Sequence, residues 1–340
     1  MDNAQETTRD NQSKRRVAIA CQGGGSHTAF TAGVLEGLME EMPEDVDVVA
    51  LSGTSGGAIC AALAWDGLVR NDRNLAVRKL QGFWQAMAAT DPLDRMANDS
   101  LTSIMGLRDL MVMPEVSPYR FPTWGGDRFR DILNEFFDFG ELRVLARRPG
   151  APILQVGAVE VLSGHFELFT GAEICVECLL ASAAIPELFR AVEVPGRGVF
   201  WDGLFSQNPP IHNLVFHRVD EIWLIQINLS TCPRVPTETH EILDRRNALA
   251  GNLSMEQELA FIELLNLAIS KGRFEDYQVT PIRVSRIVLD RELGYRSKID
   301  RRPELLNDLK LYGQTKCRMF LKERERESRI REQDSRVAAA

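Results

Sequence analysis

No run of about 18 apolar residues occurs anywhere in the chain, and a helix needs roughly that many to cross a bilayer, so no membrane span is expected. Met1 to Arg16 contain no apolar segment of the kind that heads a secretory signal, which makes the cytoplasm the expected compartment. Positive charge is also in short supply. The 40 Lys and Arg are outnumbered by 48 Asp and Glu, for a net charge of −8. That balance disfavours a surface built to hold the phosphates of duplex nucleic acid, and broad adhesion to anionic lipid as well. A phosphate loop of the Gly-Lys-Ser/Thr type is missing, and the dinucleotide fingerprint fails because the third glycine position, counted from Gly23, holds Thr28. Internal repeats and a dividing linker are absent as well. Cysteine is sparse, with six in 340 residues. Only Cys175 and Cys178 have the spacing of a metal or redox pair; with no second such pair and no His pair beside them, they are expected to pack as small hydrophobes. No metal and no cofactor is implied.

What is present reads as a globular chain, with 44% hydrophobic and 26% charged residues. Residues 1–15 read as a disordered tail, 16–316 as one large domain and 317–340 as a charged, helical, solvated tail. Val17 to Cys21 form a continuous apolar run of the kind found in a strand buried on both faces. Three glycines follow, and Ser26 is placed to cap a helix carrying Phe30, Val34, Leu35 and Leu38. A second strand, Val46 to Leu51, leads into another glycine-rich turn and a helix, Ala58 to Leu68, that is apolar nearly all round. Strand, glycine loop and helix, twice in succession, is an α/β pattern.

Further on, residues 90–126 are rich in Met, Pro and Asp and read as a loop excursion or lid. Phe129, Ile132, Leu133, Phe136 and Phe137 mark one helical face. Strands are expected at Pro152–Val161, Phe166–Thr170, Val192–Val194, Val199–Trp201, Glu221–Ile227 and, near the sheet edge, Ile282–Leu289. A helix is expected across Ala172–Ala184, and Ser254 with Gln257 reads as the capping box of another that runs through Ile269.

Two features carry chemistry. Gly53-Thr54-Ser55-Gly56-Gly57 fits Gly-x-Ser-x-Gly between a strand and a helix, the setting in which a sharp turn lifts a serine hydroxyl clear of a sheet. Gly23, Gly24, Gly25 and Ser26, with Gly56, supply backbone amides at helix starts, where an anion is stabilised. A serine needs a base. None of the five histidines lies in a glycine-marked loop, although His212 or His217 would complete a Ser-His-acid triad in chain order. Asp202 ends an apolar strand and is followed by Gly203 and Leu204; burial beside Phe200, Trp201, Leu204 and Phe205 should raise its pKa toward that of a useful base. By itself Asp-Gly is equally a β-turn.

Taken together, Gln22-Gly23-Gly24-Gly25-Ser26-His27-Thr28-Ala29-Phe30, Gly53-Thr54-Ser55-Gly56-Gly57 and Trp201-Asp202-Gly203-Leu204-Phe205-Ser206-Gln207-Asn208-Pro209-Pro210 resemble the patatin-like phospholipase family. Leu179 to Pro186 is similar as well, and the likeness runs from about Arg16 to Leu289. The resemblance implies a three-layer α/β/α fold around a mostly parallel sheet, with a Ser–Asp dyad that needs no histidine. It implies Ser55 as nucleophile, Asp202 as base, and hydrolysis of lipid carboxylic esters of the phospholipase A or lysophospholipase kind. Two positions depart from the pattern: His27-Thr28 stand where family members commonly carry Arg-Gly, and Leu204 where they carry Gly or Ala. The expected partner is a lipid or phospholipid, met at a membrane surface through transient apolar insertion. Leu101, Ile104, Met105, Leu107, Leu110, Met111 and Met113 are candidates to cover an acyl groove. A histidine-dependent esterase and a catalytically silent lipid-binding protein on the same fold are the alternatives.

Overall fold

A computed structural model describes residues 14–108, 117–120, 122–186, 188–274 and 280–338. At its centre is a mixed sheet in which β3 (Ile153–Glu160), β2 (Val46–Thr54), β1 (Arg15–Cys21), β7 (Glu221–Gln226) and β8 (Arg283–Val288) run parallel, in that order. Beyond β3 the pairing turns antiparallel, with β4 (Phe166–Thr170), β6 (Gly198–Asp202) and then β5 (Val192–Val194). The parallel strands are apolar on both sides because both sides are covered. Along β1, Val17, Ile19 and Cys21 enter one core while Ala18 and Ala20 enter the other. Trp223 and Ile225 alternate with Ile222 and Leu224 along β7 in the same way.

The larger core is roofed by α1 (Ala29–Glu41), α2 (Gly56–Val69), α3 (Arg73–Met87) and α9 (Pro303–Ala338); the smaller lies under α8 (Thr239–Ser270) through Met255, Leu259 and Ile262. The result is the three-layer α/β/α arrangement that the resemblance implies. Helices α1 and α9 cross at backbone contact: a methyl group on Gly33 would overlap the Lys310 carbonyl, and one on Gly313 would overlap the Phe30 carbonyl. Phe30 and Tyr312 meet beside that crossing, their rings tilted at 47° with centroids 5.9 Å apart.

Several local expectations are corrected. Arg15 already belongs to β1, while residues 1–13 of the expected tail lie outside the described residues. Within the expected loop excursion, Pro92–Arg108 form helix α4, and residues 109–116, with Leu110, Met111 and Met113, lie outside the described residues, as do the side chains of Ile104, Met105 and Leu107. The stripe from Phe129 to Phe136 lies on α5 (Trp124–Phe136), α6 (Phe139–Leu145) follows, and the apolar helix expected over Ala172–Ala184 is confined to α7 (Val176–Ser182) behind a 3₁₀ turn. Helix α8 starts fifteen residues before Ser254, at a capping box made by Glu238 and Glu241. Ser26 makes no cap bond; it sits in a 3₁₀ turn, Gly25–Thr28, that precedes α1. The charged segment after Cys317 continues α9 without a break. It is anchored as well, since buried Arg324 pairs with buried Glu221 at 3.1 Å and lies over the Trp223 ring.

Candidate active site

Strand β2 ends at Thr54 and α2 begins at Gly56, so Ser55 alone makes the turn. It does so at φ 56°, ψ −134°, a left-handed conformation that costs a residue with a β-carbon roughly 1–3 kcal/mol. Tight surroundings hold it there. The Ser55 N–H donates to Ser182 Oγ at 2.9 Å, and that hydroxyl donates to the Gly157 carbonyl at 2.7 Å. Ser182 is the last residue of α7, so helix, strand and elbow are tied at one point.

Asp202 reaches the same place by another route. Strand β2 follows β3 as far as the pair Thr54 and Gly157. The next β3 residue, Ala158, is paired with Asp202 of antiparallel β6. Because β4 occupies the opposite edge of β3 at Ala158 and Val159, β6 takes up the edge that β2 leaves. Ser55 therefore turns off the sheet where Asp202 arrives. The Asp202 main-chain N–H donates to the Ala184 carbonyl, and Ser206 Oγ to the Ala158 carbonyl, which pin the acid loop to the strand. Gly203 lies against β2 and β3: a methyl group there would come within 2.5 Å of the Gly157 carbonyl oxygen. Leu204, one of the departures from the family pattern, donates its N–H to Asp202 Oδ1 at 2.7 Å.

The glycine loop closes over the elbow. A methyl group at Gly23 would lie 2.6 Å from the Thr54 carbonyl oxygen and 2.9 Å from Ser55 Cβ, and one at Gly56 would overlap the Thr28 hydroxyl. Gly25 takes φ 57° at the start of the 3₁₀ turn. Gly56 opens α2, where N–H groups have no acceptor within the helix. The Gly23 N–H is already engaged, donating to Asn208 Oδ1 at 2.6 Å, so it does not join Gly24, Gly25 and Gly56 as an expected anion donor. Ser26 is buried in the turn. Gly53 and Gly57 have no room for a side chain against α2 and β1 respectively, and the Thr54 hydroxyl donates to the Gln207 carbonyl.

Burial sets the electrostatics. Asp202 is 1% exposed, which pushes its carboxyl up to about 7; the Leu204 N–H, a hydrogen bond with the Ser55 side chain and the charge of Lys298 pull it back. Lys298, in the 3₁₀ turn Tyr295–Ile299, donates to Asn228 Oδ1 at 2.7 Å. Burial brings its pKa down to about 8, while Asp244 and Asp202 favour its charge. His27 is buried and bonded to Ser297 Oγ at 2.6 Å, and burial, then Lys298, brings it down to about 3. A neutral histidine thus stands where the family pattern has a cation. A cavity of about 440 Å³ opens beside this loop, with His27, Ile227, Asn228, Arg245 and Lys298 in its wall.

His212 and His217 are occupied elsewhere. His212 Nδ1 bonds to Glu258 at 2.8 Å, and Glu258 also accepts the Ile211 and His212 main-chain N–H groups. His217 Nε2 bonds to Gln155 at 3.0 Å. Sequence reasoning did not single out Ser182, Asn208 or Lys298 for a role. A serine in an apolar helix and a lysine in a late polar turn carry no local signal. Among the described residues, no group of three or more His, Cys, Asp or Glu gathers to hold a metal, and no helix is long and apolar enough to cross a membrane.

A comparison with curated protein sequences finds no match. Similar solved structures include VipD from Legionella pneumophila, with 13% identity, TM-score 0.40, and 92% of this chain and 67% of that one aligned. Another is human GIVD cytosolic phospholipase A2 in complex with methyl γ-linolenyl fluorophosphonate, with 13% identity, TM-score 0.44, and 92% and 59% aligned. A third is ExoU in its heterodimeric complex with SpcU, from the type III secretion system of Pseudomonas aeruginosa, with 16% identity, TM-score 0.33, and 92% and 52% aligned. The chain thus spans little more than half the length of the last two. The family model of the patatin-like phospholipases matches residues 19–215. With more than half of its length matched, and with serine elbow, glycine loop and acid loop all inside that span, the chain belongs to the patatin-like phospholipase family.

Proposed function

We propose that the protein hydrolyses carboxylic esters of lipids, in the manner of a phospholipase A or lysophospholipase, through an acyl-enzyme on Ser55 with Asp202 as base. Family membership supports lipid ester hydrolysis in general. The observation that carries the finer reading is the meeting of a strained serine with a buried carboxyl raised to about 7, close to the pH at which a general base works best.

Asp202 takes the proton as Ser55 Oγ attacks the acyl carbonyl. The Gly24, Gly25 and Gly56 amides receive the oxyanion that develops, and donors of this kind are each worth about 2.7–4 kcal/mol in the transition state. Asp202 returns the proton to the leaving alcohol, then serves as base again when water attacks the acyl group. Ser182 acts through Ser55 by fixing the backbone of the elbow. Lys298 keeps part of the carboxyl population ionised.

Serine-directed fluorophosphonate labelling and turnover of a short-chain nitrophenyl ester test the reading. Parent protein should label and turn over; Ser55→Ala should do neither, with an unchanged circular dichroism melt. Equal turnover by Ser55→Ala and the parent would sink it, and turnover by both at the background rate would favour a silent lipid binder. A panel of lipids with product mass spectrometry then defines head group and acyl preference.

A further inference from the structure

Cys175 and Cys178 do not sit as two equivalent buried thiols. Their sulfurs are 3.3 Å apart. Cys178 is 1% exposed, whereas Cys175 is partly open to solvent. Cys175 is the residue before α7 and has an extended backbone (φ −136°, ψ 175°), so its side chain can swing toward Cys178 without breaking a helical turn. Their environments also push the two thiols apart. The hydrogen bond with Cys178 favours the Cys175 thiolate and brings that thiol below its ordinary pKa, against burial and the charge of Glu177. The same bond, with burial, drives Cys178 upward. The charged groups facing the pair are themselves paired: Glu177 with Arg130 at 2.5 Å, and Glu173 with Arg197 at 2.9 Å. The Cys178 thiol also points at the Glu173 carbonyl, 3.7 Å away.

A solvent-open thiol in contact with a closed one, with the bond between them favouring the thiolate of the open sulfur, is the arrangement of an attacking and a resolving cysteine. Packing alone asks for none of this asymmetry. A metal site would need more ligands than two sulfurs, and none gather here among the described residues.

We propose that Cys175 and Cys178 form a thiol–disulfide exchange site that takes small-molecule disulfides and closes to an intramolecular disulfide. The Cys175 thiolate attacks one sulfur of the small disulfide, forming a mixed disulfide and expelling a thiolate, which takes up a proton. Cys178 then gives its proton to solvent and attacks Cys175 Sγ, breaking the mixed disulfide and expelling a second thiol. The protein loses two electrons and two protons, and one disulfide becomes two thiols. Closure asks the sulfurs to move from 3.3 Å to about 2.05 Å. The site is independent of lipid hydrolysis, although α7 carries it together with Ser182.

The test uses the full chain with oxidised glutathione, followed by alkylation and peptide mass spectrometry. The peptide holding Cys175 and Cys178 should lose two hydrogen atoms, resist alkylation, and recover both thiols after dithiothreitol. Exposed Cys232 lies on a separate peptide and does not confuse the reading. Cys178→Ala, which keeps a small apolar side chain, should retain glutathione on Cys175; Cys175→Ser should leave Cys178 unreacted. Two fully alkylated cysteines after exposure would overturn the site, and so would a lasting glutathione adduct on Cys175 in the parent.

Discussion

The parallel half of the sheet and its antiparallel end each deliver one member of the proposed dyad, by different means. Ser55 is placed by five consecutive residues, 53–57, that join the end of β2 to the start of α2. Asp202 is placed by pairing: β6 must meet β3 at Ala158, one step beyond the point where β2 leaves. The serine's position is thus a local property, while the acid's is a property of register. Side chains alternate along a strand, so a slip of one residue would turn Asp202 to the opposite face. The acid end is accordingly the more heavily fastened, through the bonds at Ala184, Leu204, Ser206 and Asn208.

Substitutions can break this contrast, and the serine should be the more damaging loss. Ser55→Ala is expected to lower ester kcat by a factor on the order of 10⁶. Asp202→Asn should cost up to about 10⁴-fold, since a near-isosteric amide cannot act as general base; retained fluorophosphonate labelling at parent speed would contradict it. Ser182→Ala removes the acceptor for the Ser55 N–H and should lower kcat between about 10- and 100-fold with KM little changed. Replacing His212 or His217 by Ala should leave kcat within about twofold, because each is bonded away from the elbow; near-total loss at either one would restore the histidine-dependent alternative.

The buried acid also sharpens the comparison through pH. With a folded pKa of about 7, kcat/KM should rise through pH 7 and level off above it. Lys298→Met removes a charge that lowers that pKa, so the midpoint should move upward. Stability follows the opposite course. The folded value exceeds the ordinary value near 3.9, so between about pH 4 and 7 the native chain holds more protons than the unfolded one, and stability falls as pH rises. Asp202→Asn should therefore melt close to the parent at pH 5 and above it at pH 8. A constant gap between the two melting curves would contradict the assignment.

The elbow, the glycine loop and the individual strands of the parallel half were legible because each is written in neighbouring residues; the order of those strands was not. Asp202 was legible only in company, since Asp-Gly alone is a turn. Other features were hidden by features that imitate them. Ser254 and Gln257 look like a helix start, yet they lie inside α8, whose actual cap uses Glu238, an uncommon capping residue. Ser254 instead accepts the Asn208 N–H. The segment after Cys317 reads as solvated because its apolar positions thin out, but Arg324 is held by Glu221, a partner far off in the sequence. Pro92 to Arg108 read as a loop because Met and Asp obscure a helical stripe.

The crossing of Gly33 with Gly313 has a consequence for how the molecule is made. On a ribosome adding roughly 5–20 residues per second, α1 leaves the exit tunnel tens of seconds before α9 exists. During that interval Phe30, Gly33 and Gly37 lack the surface they finally touch. A nascent chain arrested short of α9 already carries Ser55 and Asp202, yet it lacks the helix against which α1 packs. The proposed hydrolysis should therefore be weaker in a chain that stops before α9 than in one that includes it.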